Sequence, residues 1–289
     1  MNPKIGICAP AHRPQYWMEF YKSLVKNDVE FEIVFVGPKA PDYELPKNFH
    51  FIKSFVKPTQ CLEIAYRKST ADLVMNMADD CMFKTSRPLD KLYETYKAYK
   101  REDIILSCRY MVNGEDQSDE AARFIAGDMD SPIVPLCGLM SKNFLMTIGG
   151  VDRNFIGVMW DSDVAMRVHA LGGEVILSDV YLEEDKNKNA GSFLCNEFWK
   201  YDRRVLESLW LKNGKIHFER AKEVESFSNI NILMKSQGAR GRWRGKGPVF
   251  VEKIEDNFLR VVRAIRTPSM YLSHFKKMVA KCKGKRGVM

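Results

Sequence analysis

The chain has 289 residues, of which 45% are hydrophobic and 28% charged, and this balance excludes a wholly disordered protein. No run of about 20 apolar residues occurs, and the first residues lead into a strand-like segment rather than an apolar leader. We therefore expect a cytoplasmic protein, and the seven scattered cysteines, without a C-x-x-C pair, argue against a disulfide framework or a zinc site.

The net charge of +8 is concentrated at one end of the chain. From Arg240 onward there are 14 Lys and Arg residues against 3 Asp and Glu residues. We therefore predict a main domain over 1–215 and a basic, mainly helical extension over 216–289. Such an extension could contact an anionic membrane surface at the periphery or simply face water, and nucleic-acid binding is less favoured because no recognised nucleic-acid-binding element accompanies it.

The first half of the chain alternates strand-like and helix-like segments. Apolar and β-branched runs predict strands, and apolar residues at helical spacing predict helices. The predicted elements, in chain order, are a strand at 4–8, a helix at 14–27, strands at 31–36 and 50–56, a helix at 59–70, a strand at 72–77, a helix at 89–100 and a strand at 104–109.

This alternation predicts an α/β fold with a mostly parallel central sheet flanked by helices. In open sheets of this kind, ligands bind outside the carboxyl ends of the strands. Three segments that follow predicted strands should therefore share one edge of the sheet: Pro10 to Arg13, Gly37, and Asp79 with Asp80.

The second half continues with a polar segment and further regular elements. A long acidic loop is predicted over 113–131, and loops of this length are often functional. The predicted elements that follow are a strand at 133–140, a helix at 142–148, a helix at 162–171, a strand at 174–177 and an amphipathic helix at 198–211.

Asp79 and Asp80 are the first candidate for chemistry, because two adjacent acids directly after a buried strand need something to satisfy them. Mg²⁺ or Mn²⁺ would do so, since hard cations prefer carboxylate oxygens and often bridge to phosphates. The alternative is an ordinary turn or helix cap, because aspartate is favoured at both.

Asp161 and Asp163 are the second candidate, at the start of a predicted helix and directly after Trp160. An acid at this edge of the sheet is suited to remove a proton from an acceptor hydroxyl. The alternative is a plain helix N-cap, where the helix dipole favours acids.

The order of these motifs resembles the family 2 glycosyltransferases and their GT-A relatives, with their Rossmann-like catalytic domain. The matching segments are Ile5-Gly6-Ile7-Cys8-Ala9-Pro10, the acids at 79–80, Gly149-Gly150-Val151-Asp152, Trp160-Asp161-Ser162-Asp163 and the helix from Asp202 to Trp210. The resemblance covers roughly residues 4–215, about three quarters of the chain.

The resemblance implies a metal-assisted, inverting transfer of a sugar from a nucleotide-sugar donor to a glycan or lipid-linked acceptor. Asp79 and Asp80 match the DxD-type motif, with Asp80 as the direct ligand of Mn²⁺ or Mg²⁺ and Asp79 toward the donor ribose or the metal. Asp161 matches the general base. The remaining matches are Pro10, Ala11 and His12 for the nucleotide-binding loop, and Trp160 and Asp163 for the acceptor side.

Several positions depart from the family pattern. Val36-Gly37-Pro38-Lys39 stands where acids are usual, so the donor base, whether of UDP, GDP or dTDP, stays open, and Glu183-Glu184-Asp185 replaces a frequent metal-binding histidine. Two other classes also remain open. A nucleotidyltransferase normally has a Gly-rich phosphate loop, which Pro10 to Pro14 lacks, and a non-catalytic binding protein would not need the three acids.

Overall fold

The computed structural model describes residues 4–112, 114–116, 118, 122–125, 128–184 and 193–219, with the backbone alone at 112 and 193–198. All of these residues belong to one compact unit of the chain. The predicted basic helices of the C-terminal extension lie outside the described residues, and the domain boundary after residue 215 stays a prediction. Within the described part of the chain, every helix is too short or too polar to cross a bilayer.

The described strands form one large sheet and one small hairpin. The strands of the large sheet are β1 (Ile5–Pro10), β2 (Phe31–Gly37), β3 (Phe49–Lys53), β4 (Leu73–Asn76), β5 (Cys81–Phe83), β6 (Ile104–Val112), β7 (Glu115–Asp116), β8 (Gly138–Ser141) and β9 (Glu174–Glu184). The hairpin consists of β10 (Leu211–Lys212) and β11 (Lys215–Ile216).

The helices start where the local sequence favours a helix N-terminus. Proline occupies an early position of α2 and α3, where its missing N–H costs nothing. The Ser141 hydroxyl caps α4 by accepting a hydrogen bond from the Phe144 N–H at 3.2 Å. The described helices are α1 (Trp17–Leu24), which follows a short 3-10 turn, α2 (Pro58–Lys68), α3 (Pro88–Tyr99), α4 (Lys142–Thr147), α5 (Trp160–Ala170) and α6 (Phe193–Trp210).

The large sheet has the strand order β3-β2-β1-β4-β8-β6-β9-β5, with β7 paired to β6 beside this path. Strands β1 to β4 run parallel to one another, and β6 and β9 continue in the same direction. Strand β8 lies antiparallel between β4 and β6, and β5 is antiparallel to β9. The predicted α/β fold with a central, mostly parallel sheet is therefore confirmed.

Both faces of the sheet are buried, as expected for a sheet built from crossover connections. On one face, α1 and α3 pack apolar side chains such as Trp17, Phe20 and Leu92 against the strands. On the other face, α2, α4 and α5 contribute side chains such as Leu62 and Val164 to a second core. The helices thus leave the ends of the strands as the place where a ligand can approach the sheet.

Three predicted elements differ from the structure for identifiable reasons. The strand predicted over 133–140 is reduced to Gly138–Ser141, because Pro132 and Pro135 cannot donate hydrogen bonds to a ladder, and Ile133 makes only an isolated bridge to Arg123. Strand β9 is longer than the predicted 174–177, since it continues along β6 past an irregularity in the register. Helix α5 starts at Trp160 rather than at residue 162.

Candidate active site

The loop after β1 is held against the end of β2. The Ala11 N–H donates to the Val36 carbonyl at 2.9 Å, which extends the pairing of the two strands by one residue. Gly37 lets the loop come this close, because a Cβ atom at that position would lie 1.6 Å from the Ala11 carbonyl oxygen. Glycine at position 37 is therefore required for the position of the loop from Pro10 to Arg13.

Asp79 fixes the same loop from the other side. Its Oδ2 accepts hydrogen bonds from the backbone N–H groups of His12 at 2.7 Å and Arg13 at 2.8 Å. Its Oδ1 accepts from the Arg13 guanidinium, from Nε at 2.8 Å and from Nη2 at 2.6 Å. The Trp17 indole N–H approaches Oδ2 at 3.4 Å, and the side chain is buried. Asp79 thus serves to organise the loop, and N–H donors surround its carboxylate.

Asp80 is paired with the third guanidinium nitrogen of the same arginine. Its Oδ2 accepts a hydrogen bond from Arg13 Nη1. Burial raises the pKa of Asp80 to about 6, an effect that the positive charge of Arg13 opposes and the negative charges of Asp79 and Glu184 reinforce. Glu184 accepts a 2.6 Å hydrogen bond from the Tyr110 hydroxyl, and it lies on the part of β9 that pairs with β5.

These contacts decide whether the residues present fit the predicted divalent cation. Both carboxylate oxygens of Asp79 accept hydrogen bonds from N–H donors, and the Arg13 guanidinium donates to Oδ2 of Asp80. Among the described residues, no group of three or more His, Cys, Asp or Glu side chains is arranged to hold a metal ion. In this arrangement the two acids therefore do not fit a directly bound Mn²⁺ or Mg²⁺. The use of either ion by the protein stays a prediction.

A cavity of about 380 Å³ opens at the carboxyl ends of the strands and brings most of the predicted site residues together. Pro10, Ala11, His12 and Arg13 line it from the loop, and Asp79 lines it as well. A second segment of the wall is formed by residues 157–161, which include Trp160 and Asp161. Burial lowers the pKa of His12, an effect that the negative charge of Asp79 opposes. Asp80 is not among the residues that line this cavity.

Asp161 presents a carboxylate to this cavity from the first turn of α5. Met159, in the left-handed region at φ 62°, turns the chain into the helix just before it. Burial raises the pKa of Asp161 to about 6, although a hydrogen bond from the Ser162 N–H at 2.8 Å lowers it in part. A carboxylate with such a pKa is suited to accept a proton near neutral pH.

The two residues predicted for the acceptor side have different places. Trp160 lines the cavity and packs edge-on against Tyr66, with ring centroids 6.4 Å apart. Asp163 is fully buried instead, because it forms an ion pair with Arg167 at 3.0 Å and accepts a 2.9 Å hydrogen bond from the Trp210 indole. Asp163 therefore joins α5 to α6 and is not among the residues that line the cavity, and its place on the acceptor side stays a prediction.

Two residues that shape the cavity were not assigned to the site from the sequence. The sequence predicted that Arg13 lies at the edge of the sheet that carries the site. The signal that could have identified it is its positive charge, which is opposite to that of the two acids. Asp202 on α6 accepts hydrogen bonds from the N–H groups of residues 156, 157 and 158 at 2.8 to 2.9 Å, and so fixes one wall. Asp202 begins a segment that matches the family, but no local signal shows its role in fixing this wall, because its partners lie more than 40 residues away.

The fold resembles solved structures of S. aureus TarS. A crystal structure of TarS 1–349 matches with a TM-score of 0.51 at 14% sequence identity, over 71% of this chain and 64% of that chain. Structures of TarS 1–349 in complex with UDP and with UDP-GlcNAc match with the same TM-score and identity. The chain thus spans somewhat less than two thirds of the length of the TarS structure first described.

This likeness, together with the strand order, establishes the predicted GT-A type α/β fold. No protein-family model and no curated protein matches the sequence. Membership of family 2 and the DxD-type motif therefore stay predictions that rest on the residues described above.

Proposed function

We propose that this chain is a glycosyltransferase that transfers a sugar from a nucleotide-sugar donor to a hydroxyl group of an acceptor. The observation that carries the proposal is the cavity at the carboxyl ends of the strands, which Asp161 lines together with the loop of Pro10 to Arg13. The fold supports it, since the TarS structures that share this fold include complexes with UDP and UDP-GlcNAc.

Two segments of the cavity wall suggest a division of roles. The loop from Pro10 to Arg13 would bind the nucleotide, with the His12 ring beside the base. Trp160 and Asp161, in the second segment, would contact the acceptor. Holding both substrates in one cavity supplies part of the rate, because a bimolecular step then becomes effectively unimolecular.

The reaction follows as a single displacement. The acceptor hydroxyl gives its proton to the Asp161 carboxylate while its oxygen forms a bond to the anomeric carbon of the sugar. The bond between that carbon and the phosphate oxygen breaks, and its electron pair leaves with the nucleoside diphosphate. Attack opposite to the leaving group inverts the anomeric centre, so we propose an inverting enzyme.

The raised pKa of Asp161 matters for this step. At pH 7.5 a carboxyl group with a pKa of about 6 is mostly ionised, and it binds a proton more tightly than an ordinary aspartate does. Transfer should therefore increase as the pH rises through about 6. The finer assignments, a hexosyl donor of UDP, GDP or dTDP and a glycan or lipid-linked acceptor at the membrane periphery, are part of the same proposal.

The test is a screen of the purified chain for release of nucleotide from sugar nucleotides, with UDP-GlcNAc first and other UDP-, GDP- and dTDP-sugars next. Each donor is assayed with Mn²⁺, with Mg²⁺ and with chelator, in the presence of simple glycan and lipid-linked acceptors. Asp161→Asn should lower turnover by about 100-fold or more, since this is the usual contribution of a general base. Asp72→Asn, whose side chain is 72% exposed, is the matched control and should keep full turnover.

Two outcomes would contradict the proposal. Neither turnover nor binding with any donor would favour a binding protein without catalytic activity. Equal turnover of Asp161→Asn and the unmodified chain would leave the cavity without its proposed base.

A further inference from the structure

Arg13 contacts both acids of the predicted metal motif at once. Its Nε and Nη2 donate to Oδ1 of Asp79 at 2.8 and 2.6 Å, and its Nη1 donates to Oδ2 of Asp80. The guanidinium is planar and carries donors in a fixed fork, so a single side chain can engage two carboxylates in this way, whereas a lysine cannot. The Arg13 guanidinium therefore lies at the position where these acids would bind the predicted metal ion.

We propose that Arg13 excludes divalent metal ions from Asp79 and Asp80 in the protein without donor. The inference arises from the disagreement between the predicted metal motif and the contacts that its two acids make. It concerns the binding of metal alone and does not depend on the proposed sugar transfer.

The electrostatics of the pair support this exclusion. The side chains of Asp79 and Asp80 are 1% and 6% exposed, and that of Arg13 is 15% exposed, so water screens their interaction poorly. A dication bound to Asp80 would lie next to the positive guanidinium and would repel it. At Oδ2 of Asp80 the metal would also compete with a charge-assisted hydrogen bond from Arg13, which is among the stronger kinds in proteins.

Loss of Arg13 would turn the same place into an acidic cluster. Asp79 and Asp80 would lose their positive partner, and Glu184 adds a third negative charge that already acts on Asp80. Carboxylate oxygens are the ligands that Mn²⁺ and Mg²⁺ prefer. Removal of the arginine should therefore create affinity for the ion.

The experiment measures binding of Mn²⁺ alone to the metal-free full-length chain, from the loss of the six-line electron paramagnetic resonance signal of the free ion. We expect Arg13→Gln to bind Mn²⁺ roughly 10- to 100-fold more tightly than the unmodified chain, the effect of one charge-assisted hydrogen bond on an equilibrium. The double variant Arg13→Gln/Asp80→Asn should lose this gain. Arg203→Gln, the same charge change at an exposed pair on α6, should bind like the unmodified chain.

A second measurement keeps the test decisive if Arg13→Gln folds poorly. Arg13→Lys retains the positive charge but reaches only one carboxylate. Its affinity for Mn²⁺ should therefore lie between those of the unmodified chain and Arg13→Gln. The unmodified chain and Asp80→Asn should bind Mn²⁺ equally weakly. The proposal is overturned if the unmodified chain binds Mn²⁺ as tightly as Arg13→Gln, or if the gain in Arg13→Gln survives the loss of Asp80.

Discussion

Replacement of Asp161 by asparagine should stabilise the protein at neutral pH. The exchange keeps the shape of the side chain and the oxygen that accepts from the Ser162 N–H, but it removes a charge from a site surrounded by protein. The pKa of this carboxyl is raised from its usual 3.8 to about 6 by burial. The folded state therefore holds the proton more tightly than the unfolded state does.

The size and the sign follow from this difference in pKa. One pKa unit corresponds to about 1.4 kcal/mol, so the ionised Asp161 costs roughly 3 kcal/mol of unfolding free energy above pH 6. Because Asp161 keeps some surface toward the cavity, this magnitude is an upper bound. As the pH falls through 6 toward 4, the folded protein takes up the proton and the cost fades. At pH 4 the difference between the two proteins should shrink to about 0.5 kcal/mol.

The assay is urea unfolding of Asp161→Asn and the unmodified chain at pH 7.5, 6 and 4, followed by tryptophan fluorescence. Asp72→Asn is the control for a general effect of charge and should change the unfolding free energy by less than about 0.5 kcal/mol at each pH. The reasoning is refuted if Asp161→Asn is no more stable than the unmodified chain at pH 7.5. It is refuted equally by a gain in stability that does not shrink toward pH 4.

Two further predictions concern the position of the loop from Pro10 to Arg13 and the buried ion pair on α5. Gly37→Ala should lower the unfolding free energy by about 2–3 kcal/mol, because the new methyl group would overlap the Ala11 carbonyl and push the loop away. Gly214→Ala, which meets no atom within 4 Å but has a φ of +74°, is the comparison and should cost only about 1 kcal/mol in the same urea titration. Arg167→Met should cost about 3–5 kcal/mol, since it removes a positive partner of the buried Asp163, and a thermal melt with little change in midpoint would contradict this role.

The sequence was sufficient for the class of fold and for the edge of the sheet that carries the candidate site. Alternating strands and helices predict an α/β sheet, and ligands bind at the carboxyl ends of its parallel strands. The structure has these elements, and it brings the loop at Pro10 to Arg13, Asp79 and Asp161 to one cavity. These features follow from the sequence because each depends on a local pattern of hydrophobic and turn residues.

Other features were decided by contacts between distant parts of the chain. The antiparallel insertion of β8 between β4 and β6 depends on the pairing of segments about 30 to 70 residues apart, and the periodicity of the sequence does not indicate such pairing. Likewise, Asp163 has the same local context as Asp161, yet Trp210 reaches it from 47 residues away and makes it structural.

The two acids after β4 show the same limit at the site itself. Their sequence predicts a metal motif, but the tertiary structure places Arg13, 66 residues earlier in the chain, against both carboxylates. An isolated pair of acids needs a positive partner, and the sequence by itself determined that need. Only the tertiary structure determines which positive group pairs with the two acids, because the strand order brings particular side chains within hydrogen-bonding distance of them.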